Sequence, residues 1–236
     1  MYYSETVEPR LVDYTAKGNL GYEAMLHITE TVGTHHSLSV NDSLKHGHIA
    51  WMMVDLRVEV KRRPKTGEKL CIRTWSRGKA EAGSTYREYD VKSESGEQLF
   101  MESAKFALVD TRIMKMTKLS DELIEAYKPE DETQFDGDAP KMHTPDTWEC
   151  EMPLIMRKTD IDFNGHVHNT KYLDYALEAL PLDDFMADDF SCYRIVFRAG
   201  LKYGQNAVIR RTKTDDGYVF AIVEGDKLFT LIELKR

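Results

Sequence analysis

The chain has 236 residues, of which 42% are apolar and 31% charged, and its formal net charge at pH 7 is −8. These values are typical of a globular protein with one large domain or two small ones. The negative charge argues against bulk nucleic-acid binding. No apolar run approaches the ~20 residues that a membrane-spanning helix needs. We therefore expect neither nucleic-acid partners nor membrane insertion.

The cysteines and the N-terminus bear on the compartment. Cys71, Cys150 and Cys192 are odd in number and widely spaced, so they predict neither a disulfide framework nor a metal site and fit a reducing compartment. The first ten residues lack the basic region and apolar core of a secretory signal. We expect a cytoplasmic location and no cofactor.

The first half of the chain predicts a strand, a long helix and then a run of antiparallel strands. Residues 2–16 are typical of a strand, and residues 19–40 of a largely apolar, buried helix with a bend at Gly33. From Ile49 onward, apolar and charged residues alternate with period two, as in half-buried strands. Turns are expected at residues 64–68 and 93–97.

A change in composition predicts two domains. Residues 128–147 are acidic, rich in proline and without periodicity, so they are expected to link a domain of residues 1–127 to one of residues 148–236. The second domain repeats the order of strand, turn, helix and antiparallel strands.

An internal repeat is visible in the sequence. Asp13 to Leu26 aligns with Asp160 to Leu173 at a constant offset (160 − 13 = 147), which places Gly18 on Gly165. A second pair of segments aligns through Gly67 and Gly204. Few residues are identical, so the repeat is a hypothesis about the backbone.

Only the second copy carries a polar cluster, formed by Asp162, Asn164 and His166. A helix is expected to follow, with Asn164 as its N-cap. The backbone N–H groups of Gly165 and Val167 would then be unpaired and able to hold an oxyanion. The alternative is a loop that merely caps a helix. A metal site is not predicted, because His166 and His168 would point to different faces of that helix.

The D-x-N-x-H motif of Asp162, Asn164 and His166 resembles that of the acyl-ACP thioesterases of plants and bacteria. The similarity covers nearly the whole chain and implies an α+β fold, a tandem (double) hotdog in which each long helix is wrapped by an antiparallel sheet. The other similar positions are, in order, Trp51, Pro64 to Glu68, Thr74-Trp75, Arg87 to Tyr89, Gly96-Glu97, Leu119 to Glu122, His166-Val167, Asn169, Tyr172 and Glu178.

The chain departs from the family at two places. The family usually has an asparagine where this sequence has His168. The family commonly has a glutamate, and in plants a cysteine beside it, where this sequence has Gly200 and Leu201. A cysteine nucleophile is therefore not expected.

The resemblance implies hydrolysis of fatty acyl-ACP to free fatty acid and holo-ACP, with acyl carrier protein as the partner. Asp162 is expected to activate water, with a nucleophilic role as the alternative, and Asn164 to orient the substrate or the water. His166 is expected to bind the thioester or the water, or to protonate the thiolate. The acyl chain is expected in the first domain, and an acidic carrier on a basic patch. The acyl-binding residues are Met25, Ile28, Val32, Trp51 and Met52, and the patch residues are Arg62, Arg63, Lys65, Arg198 and Lys202.

Two other functions stay open. One is an acyl-CoA thioesterase, and the other is a non-catalytic acyl-binding module, which the missing glutamate at Gly200 would suit. The oligomeric state is open between monomer and homodimer, because the fused repeat already supplies two hotdog units.

Overall fold

The computed structural model of the protein describes residues 1–42, 45–80, 83–137 and 139–236. The chain divides into two units, Met1–Asp138 and Ala139–Arg236. In the described helices, no stretch combines the length and apolarity that crossing a membrane requires.

The first unit places helix α1 against an antiparallel sheet. Its strands pair in the order β1-β4-β5-β6-β3, with β2 added to β3 and β7 to β6. The elements are β1 Tyr3–Val7, α1 Tyr22–Ser39, β2 Lys45–His46, β3 Ile49–Val60, β4 Leu70–Lys79, β5 Ser84–Ser93, β6 Gln98–Asp110, β7 Lys115–Met116 and α2 Asp121–Ala126.

Helix α1 packs closely on the sheet at Gly33. The helix runs without a break through this residue, where a bend was predicted. A Cβ atom at position 33 would lie only 2.2 Å from the Tyr89 hydroxyl oxygen. The glycine therefore serves the close approach of helix and strand.

A carboxyl group is buried between α1 and the sheet. Glu102 is 2% exposed, and the Thr29 hydroxyl donates to its Oε2 atom at 2.8 Å. Burial, with smaller contributions from the charges of Glu30 and Glu88, raises the pKa of Glu102 to about 8. The side chain is therefore protonated at neutral pH.

We expect Glu102→Gln to remove a pH-dependent loss of stability. The folded pKa of about 8 lies above the reference value of 4.5, so the free energy of unfolding falls as pH rises from 4.5 to about 8. The loss is at most about 4–5 kcal/mol. Urea unfolding at pH 5, 7 and 9 measures it, with the exposed Glu94→Gln as control. Parallel pH dependence of wild type and Glu102→Gln would contradict the assignment.

The outer face of this sheet is covered by part of the acidic segment predicted to be a linker. The Trp75 indole N–H donates to the Glu132 carbonyl at 2.8 Å, and the Arg57 guanidinium lies 4.0 Å from the centre of the Phe135 ring. Farther along, Met142 and Trp148 pack against the core of the second unit. The segment thus contributes to both units, and the domain boundaries predicted from the sequence stay a prediction.

The second unit has a smaller antiparallel sheet with two short helices. Its strands pair in the order β9-β12-β11-β10-β8, and β11 is buried along nearly its whole length. The elements are β8 Cys150–Pro153, α3 Lys171–Glu178, α4 Leu182–Ala187, β9 Cys192–Phe197, β10 Val208–Lys213, β11 Gly217–Glu224 and β12 Lys227–Lys235.

Helix α3 differs from the prediction. It begins at Lys171 with Thr170 as N-cap and has 8 residues, so neither a start at Asn164 nor a long helix in this unit is correct. The reason is that most backbone N–H groups of residues 162–168 are used in a turn and a β-bridge, which apolar periodicity does not reveal.

The backbone confirms the internal repeat. Residues 13–21 and 160–168 form the same turn at the offset of 147, and a glycine with positive φ, Gly18 or Gly165, lies in each. The matched hydrogen bonds are Thr15 N–H to Asn19 O and Asp162 N–H to His166 O, Gly18 N–H to Thr15 O and Gly165 N–H to Asp162 O, and Gly21 N–H to Asp13 O and His168 N–H to Asp160 O.

Each turn is joined to a later segment in the same way. Leu20 N–H donates to Pro64 O, and Val167 N–H donates to Leu201 O, both at 2.8 Å. The two acceptor residues are 137 positions apart (201 − 64 = 137). This is the same offset that relates Gly67 to Gly204 in the sequence alignment (204 − 67 = 137). The two units therefore share one local frame, and the side chains placed on it can be compared position by position.

Candidate active site

Asp162 organises the turn that carries the polar cluster. Its Oδ1 atom accepts the backbone N–H of Asn164 at 2.8 Å and that of His166 at 3.1 Å. The Asn164 side-chain amide reaches its Oδ2 atom only at 3.4 Å. One carboxylate oxygen thus holds the backbone, while the other keeps room for a further donor.

The His166 ring lies against the backbone of Gly200. A Cβ atom at position 200 would be 2.6 Å from His166 Cδ2 and 3.0 Å from Cγ. Any other residue there would force the ring to move. In the first unit the equivalent positions are Asn19 and Arg63, so a large side chain is accommodated where no histidine ring is present.

Tyr172 joins this segment to helix α3. Its hydroxyl oxygen accepts the backbone N–H of Leu201 at 3.0 Å, and its ring meets that of Phe197 edge-on at 5.4 Å between centroids. Burial, with an added contribution from the Asp162 charge, raises the pKa of Tyr172 to about 12. The phenol is therefore protonated at neutral pH.

The backbone N–H groups predicted to hold an oxyanion are both occupied. Gly165 N–H donates to the Asp162 carbonyl at 3.0 Å, and Val167 N–H donates to the Leu201 carbonyl at 2.8 Å. The prediction placed them at a helix start, whereas they lie in the turn before it. Within residues 162–171, all of which are described, the N–H groups of Phe163 and Asn169 have no acceptor, and that of Asn169 lies at the approach to α3.

Part of the predicted carrier patch is used inside the first unit. Arg62 is paired with Glu68 at 2.9 Å and with Glu97 at 2.6 Å. Arg63 is buried, where it donates to the Leu20 carbonyl and lies over the Tyr22 ring. We therefore remove Arg62 and Arg63 from the patch.

The other patch residues differ in their surroundings. The Lys65 ammonium group donates to the Asn19 side-chain carbonyl. Arg198 and Lys202 are exposed, and their side chains have no hydrogen bond or ion pair with any residue that the structure describes. These two flank the Gly200 segment and are available to a partner.

The predicted acyl-binding residues lie in the core of the first unit. Met25, Ile28 and Val32 are buried on the sheet-facing side of α1. Trp51 and Met52 are half-buried on β3, and the Trp51 indole N–H donates to Asp42 at 2.8 Å. Their role in binding an acyl chain stays a prediction.

Sequence reasoning missed two residues of the site. The sequence marks Gly200 only as a position that lacks the family's glutamate, and its contact with the His166 ring becomes visible only in the fold. Tyr172 is a position of similarity to which the sequence gives no role. The internal repeat could have pointed to Tyr172. The equivalent residue of the first copy is Met25, so the hydroxyl group is present only in the copy that has the polar cluster.

The chain matches the Acyl-ACP thioesterase N-terminal domain over residues 1–127 and the Acyl-ACP thioesterase C-terminal domain over residues 144–224. It is 24% identical over 200 residues to oleoyl-acyl carrier protein thioesterase 1, chloroplastic, of Arabidopsis thaliana. That match covers 76% of this chain and 55% of the relative, so the chain spans about half of the relative's length.

Solved structures show the same fold. The 12:0-ACP thioesterase from Umbellularia californica has a TM-score of 0.88 at 17% identity, covering 99% of this chain and 96% of that one. An acyl-ACP thioesterase from Bacteroides thetaiotaomicron has a TM-score of 0.84 at 14% identity, covering 99% and 97%. The predicted α+β tandem hotdog class is confirmed. Because the two family domains together match most of its residues, the chain belongs to the acyl-ACP thioesterase family.

Proposed function

We propose that the chain hydrolyses fatty acyl-ACP thioesters to free fatty acid and holo carrier protein, as a step of fatty acid biosynthesis. The observation that best supports this proposal is the turn at residues 160–168. The first unit forms a turn with the same backbone hydrogen bonds, but only the turn of the second unit has Asp162, Asn164 and His166. The matched backbone hydrogen bonds form in the first unit with other side chains in these places, which favours a chemical role for the three residues.

In the proposed mechanism Asp162 is the base. Thioester hydrolysis needs an activated water, a donor for the oxyanion and a proton for the departing thiolate. Asp162 Oδ2 has only the weak contact from Asn164 and can accept a proton from water. His166 has no side-chain hydrogen bond to a described residue, so its ring can donate to the thiolate. Asn164 would orient the substrate through its amide.

The oxyanion donor in this proposal is the N–H of Asn169. The groups first expected, in Gly165 and Val167, are occupied by backbone acceptors. The Asn169 N–H has no acceptor among the described residues and lies just before α3, where helix-start dipoles favour negative charge.

The acyl chain is proposed to lie against apolar residues of the first unit, as the sequence resemblance implies. Met25, Ile28 and Val32 would offer it buried methyl and thioether groups, and Trp51 and Met52 half-buried surface. The burial of apolar chain carbons would supply most of the binding free energy.

Thiol release from a panel of acyl-ACP and acyl-CoA substrates, C6 to C18, tests the function. We expect turnover of acyl-ACP to exceed that of acyl-CoA at equal chain length. Equal or greater turnover of acyl-CoA would favour a CoA thioesterase. Binding of acyl chains with no thiol release, by protein shown to be folded, would favour the acyl-binding module and reject the proposal.

The carrier protein is proposed to meet the exposed cations of the Gly200 segment. We expect Lys202→Glu, alone or with Arg198→Glu, to raise KM for acyl-ACP about ten-fold, because an acidic partner loses electrostatic attraction. KM for the corresponding acyl-N-acetylcysteamine thioester should not change. Lys213→Glu makes the same charge change at the far end of β10 and serves as control. An equal rise in KM for both kinds of substrate would contradict the patch.

We further propose that the protein acts in the cytoplasm, as a monomer or homodimer, without a cofactor. All three cysteines are free thiols, as is usual in a reducing compartment. Light scattering of the purified protein distinguishes the two oligomeric states.

A further inference from the structure

The two copies of the site turn differ in one hydrogen bond. In the second unit the Tyr172 hydroxyl accepts the Leu201 N–H at 3.0 Å. The equivalent residues of the first unit are Met25 and Pro64. Methionine offers no hydroxyl and proline no N–H, so both halves of the bond are absent in the copy without the polar cluster.

This bond is not needed to form the turn. The first unit makes the equivalent bond between Leu20 N–H and Pro64 O, and all the matched turn bonds, without it. The backbone of residues 160–168 therefore has a counterpart that folds in the same way. What the second unit adds is a hydrogen bond from the segment of Gly200 and Leu201 to helix α3.

That segment is the surface on which His166 rests. Leu201 is held from two sides, because its carbonyl accepts Val167 N–H and its N–H is donated to Tyr172. The preceding residue, Gly200, is in contact with the His166 ring. A shift of Leu201 would move this contact and with it the ring.

We propose that Tyr172 is a positioning residue, which fixes the Gly200–Leu201 segment and through it the orientation of the His166 ring. The expected effect on kcat rests on the proposed function, whereas the effect on the orientation of the His166 ring does not. Tyr172 itself need not touch the substrate.

Removing the bond from either side tests the proposal. Tyr172→Phe keeps the ring and removes the acceptor, whereas Leu201→Pro removes the donor and installs the residue that the first unit has. We expect each to lower kcat on acyl-ACP about 10- to 100-fold with KM within about two-fold, because small misplacements of a catalytic group have effects of this size. The double variant should be no worse than either single one.

Nuclear magnetic resonance supplies a readout independent of activity. The ring resonances of His166, assigned with His166→Asn, should shift in Tyr172→Phe and in Leu201→Pro. The control is Tyr175→Phe, on the same helix as Tyr172. This substitution removes a buried hydroxyl group that donates to the Asp160 carboxylate at 2.8 Å. It should lower the melting temperature and leave the His166 resonances and kcat unchanged.

Unchanged His166 resonances in both variants would overturn the inference, as would fully additive kinetic losses in the double variant. If wild-type protein releases no thiol from any substrate, the proposed function fails, while the His166 resonances still decide the positioning role.

Discussion

Replacing Asp162 by asparagine should lower kcat on acyl-ACP by about a thousand-fold, the size expected when a general base is lost. An asparagine side-chain oxygen can still accept the N–H groups of Asn164 and His166, which hold the turn at 2.8 and 3.1 Å. The amide cannot take a proton from water. The loss should therefore appear in kcat, with little change in KM or in melting temperature, measured by steady-state kinetics and thermal unfolding.

The internal repeat supplies the matched control for this change. Thr15 occupies the place of Asp162 in the first unit, and Thr15→Ala should keep kcat within about two-fold of wild type. If Asp162→Asn retains more than about a tenth of wild-type turnover, Asp162 is not the base.

Alanine at position 200 should lower kcat by about 30- to 100-fold, because its Cβ atom would lie 2.6 Å from the His166 ring and the ring must turn away. The backbone at Gly200 does not have a positive φ, so the substitution adds no backbone strain. The melting temperature should change little, since the residue is exposed. Steady-state kinetics and thermal unfolding, measured on the same preparation, distinguish a loss of kcat from a loss of stability.

A second substitution identifies the ring as the cause. In a His166→Asn background the smaller side chain leaves room, as Asn19 does in the first unit beside Arg63. Gly200→Ala should then cause little further loss. A full additional loss in that background would show that Gly200 acts through something other than His166. Restoring the glutamate that the family commonly has at this position should be more harmful than alanine, since it is larger.

Side-chain periodicity predicted most of the secondary structure. Strand β6 begins at Gln98, directly after the turn predicted at residues 93–97, and α1 differs from its predicted range by a few residues. The pattern is strong there because one face of each element is buried. The short helices α2 and α4, of 6 residues each, are too brief to give a periodic signal.

The site was predicted by residue type but not by backbone geometry. Asp162, Asn164 and His166 do share one turn. The helix expected to start at Asn164 begins at Lys171, because the intervening N–H groups find partners in the turn and in Leu201. Such partners come from a segment 34 residues farther along the chain (201 − 167 = 34), which no local pattern contains.

Two of the five residues of the predicted basic patch are engaged within the first unit for a related reason, while Arg198 and Lys202 remain exposed. Arg62 and Arg63 form a conspicuous cationic run, but Glu68, Glu97 and the Leu20 carbonyl take up their donors. Whether a surface charge is available to a partner depends on contacts made after folding. The composition gives the number of charged residues but does not show which of them form ion pairs in the folded chain.

The shared backbone frame also has a consequence for protein design. The first unit offers a scaffold for a second site, because its turn has the same backbone hydrogen bonds as the turn of the second unit and lacks the side chains of the polar cluster. A second catalytic centre could be grafted onto this turn, and thiol release by such a graft in an Asp162→Asn background would show that it works. The exchanges to make are Thr15→Asp, Lys17→Asn, Asn19→His, Met25→Tyr, Arg63→Gly and Pro64→Leu.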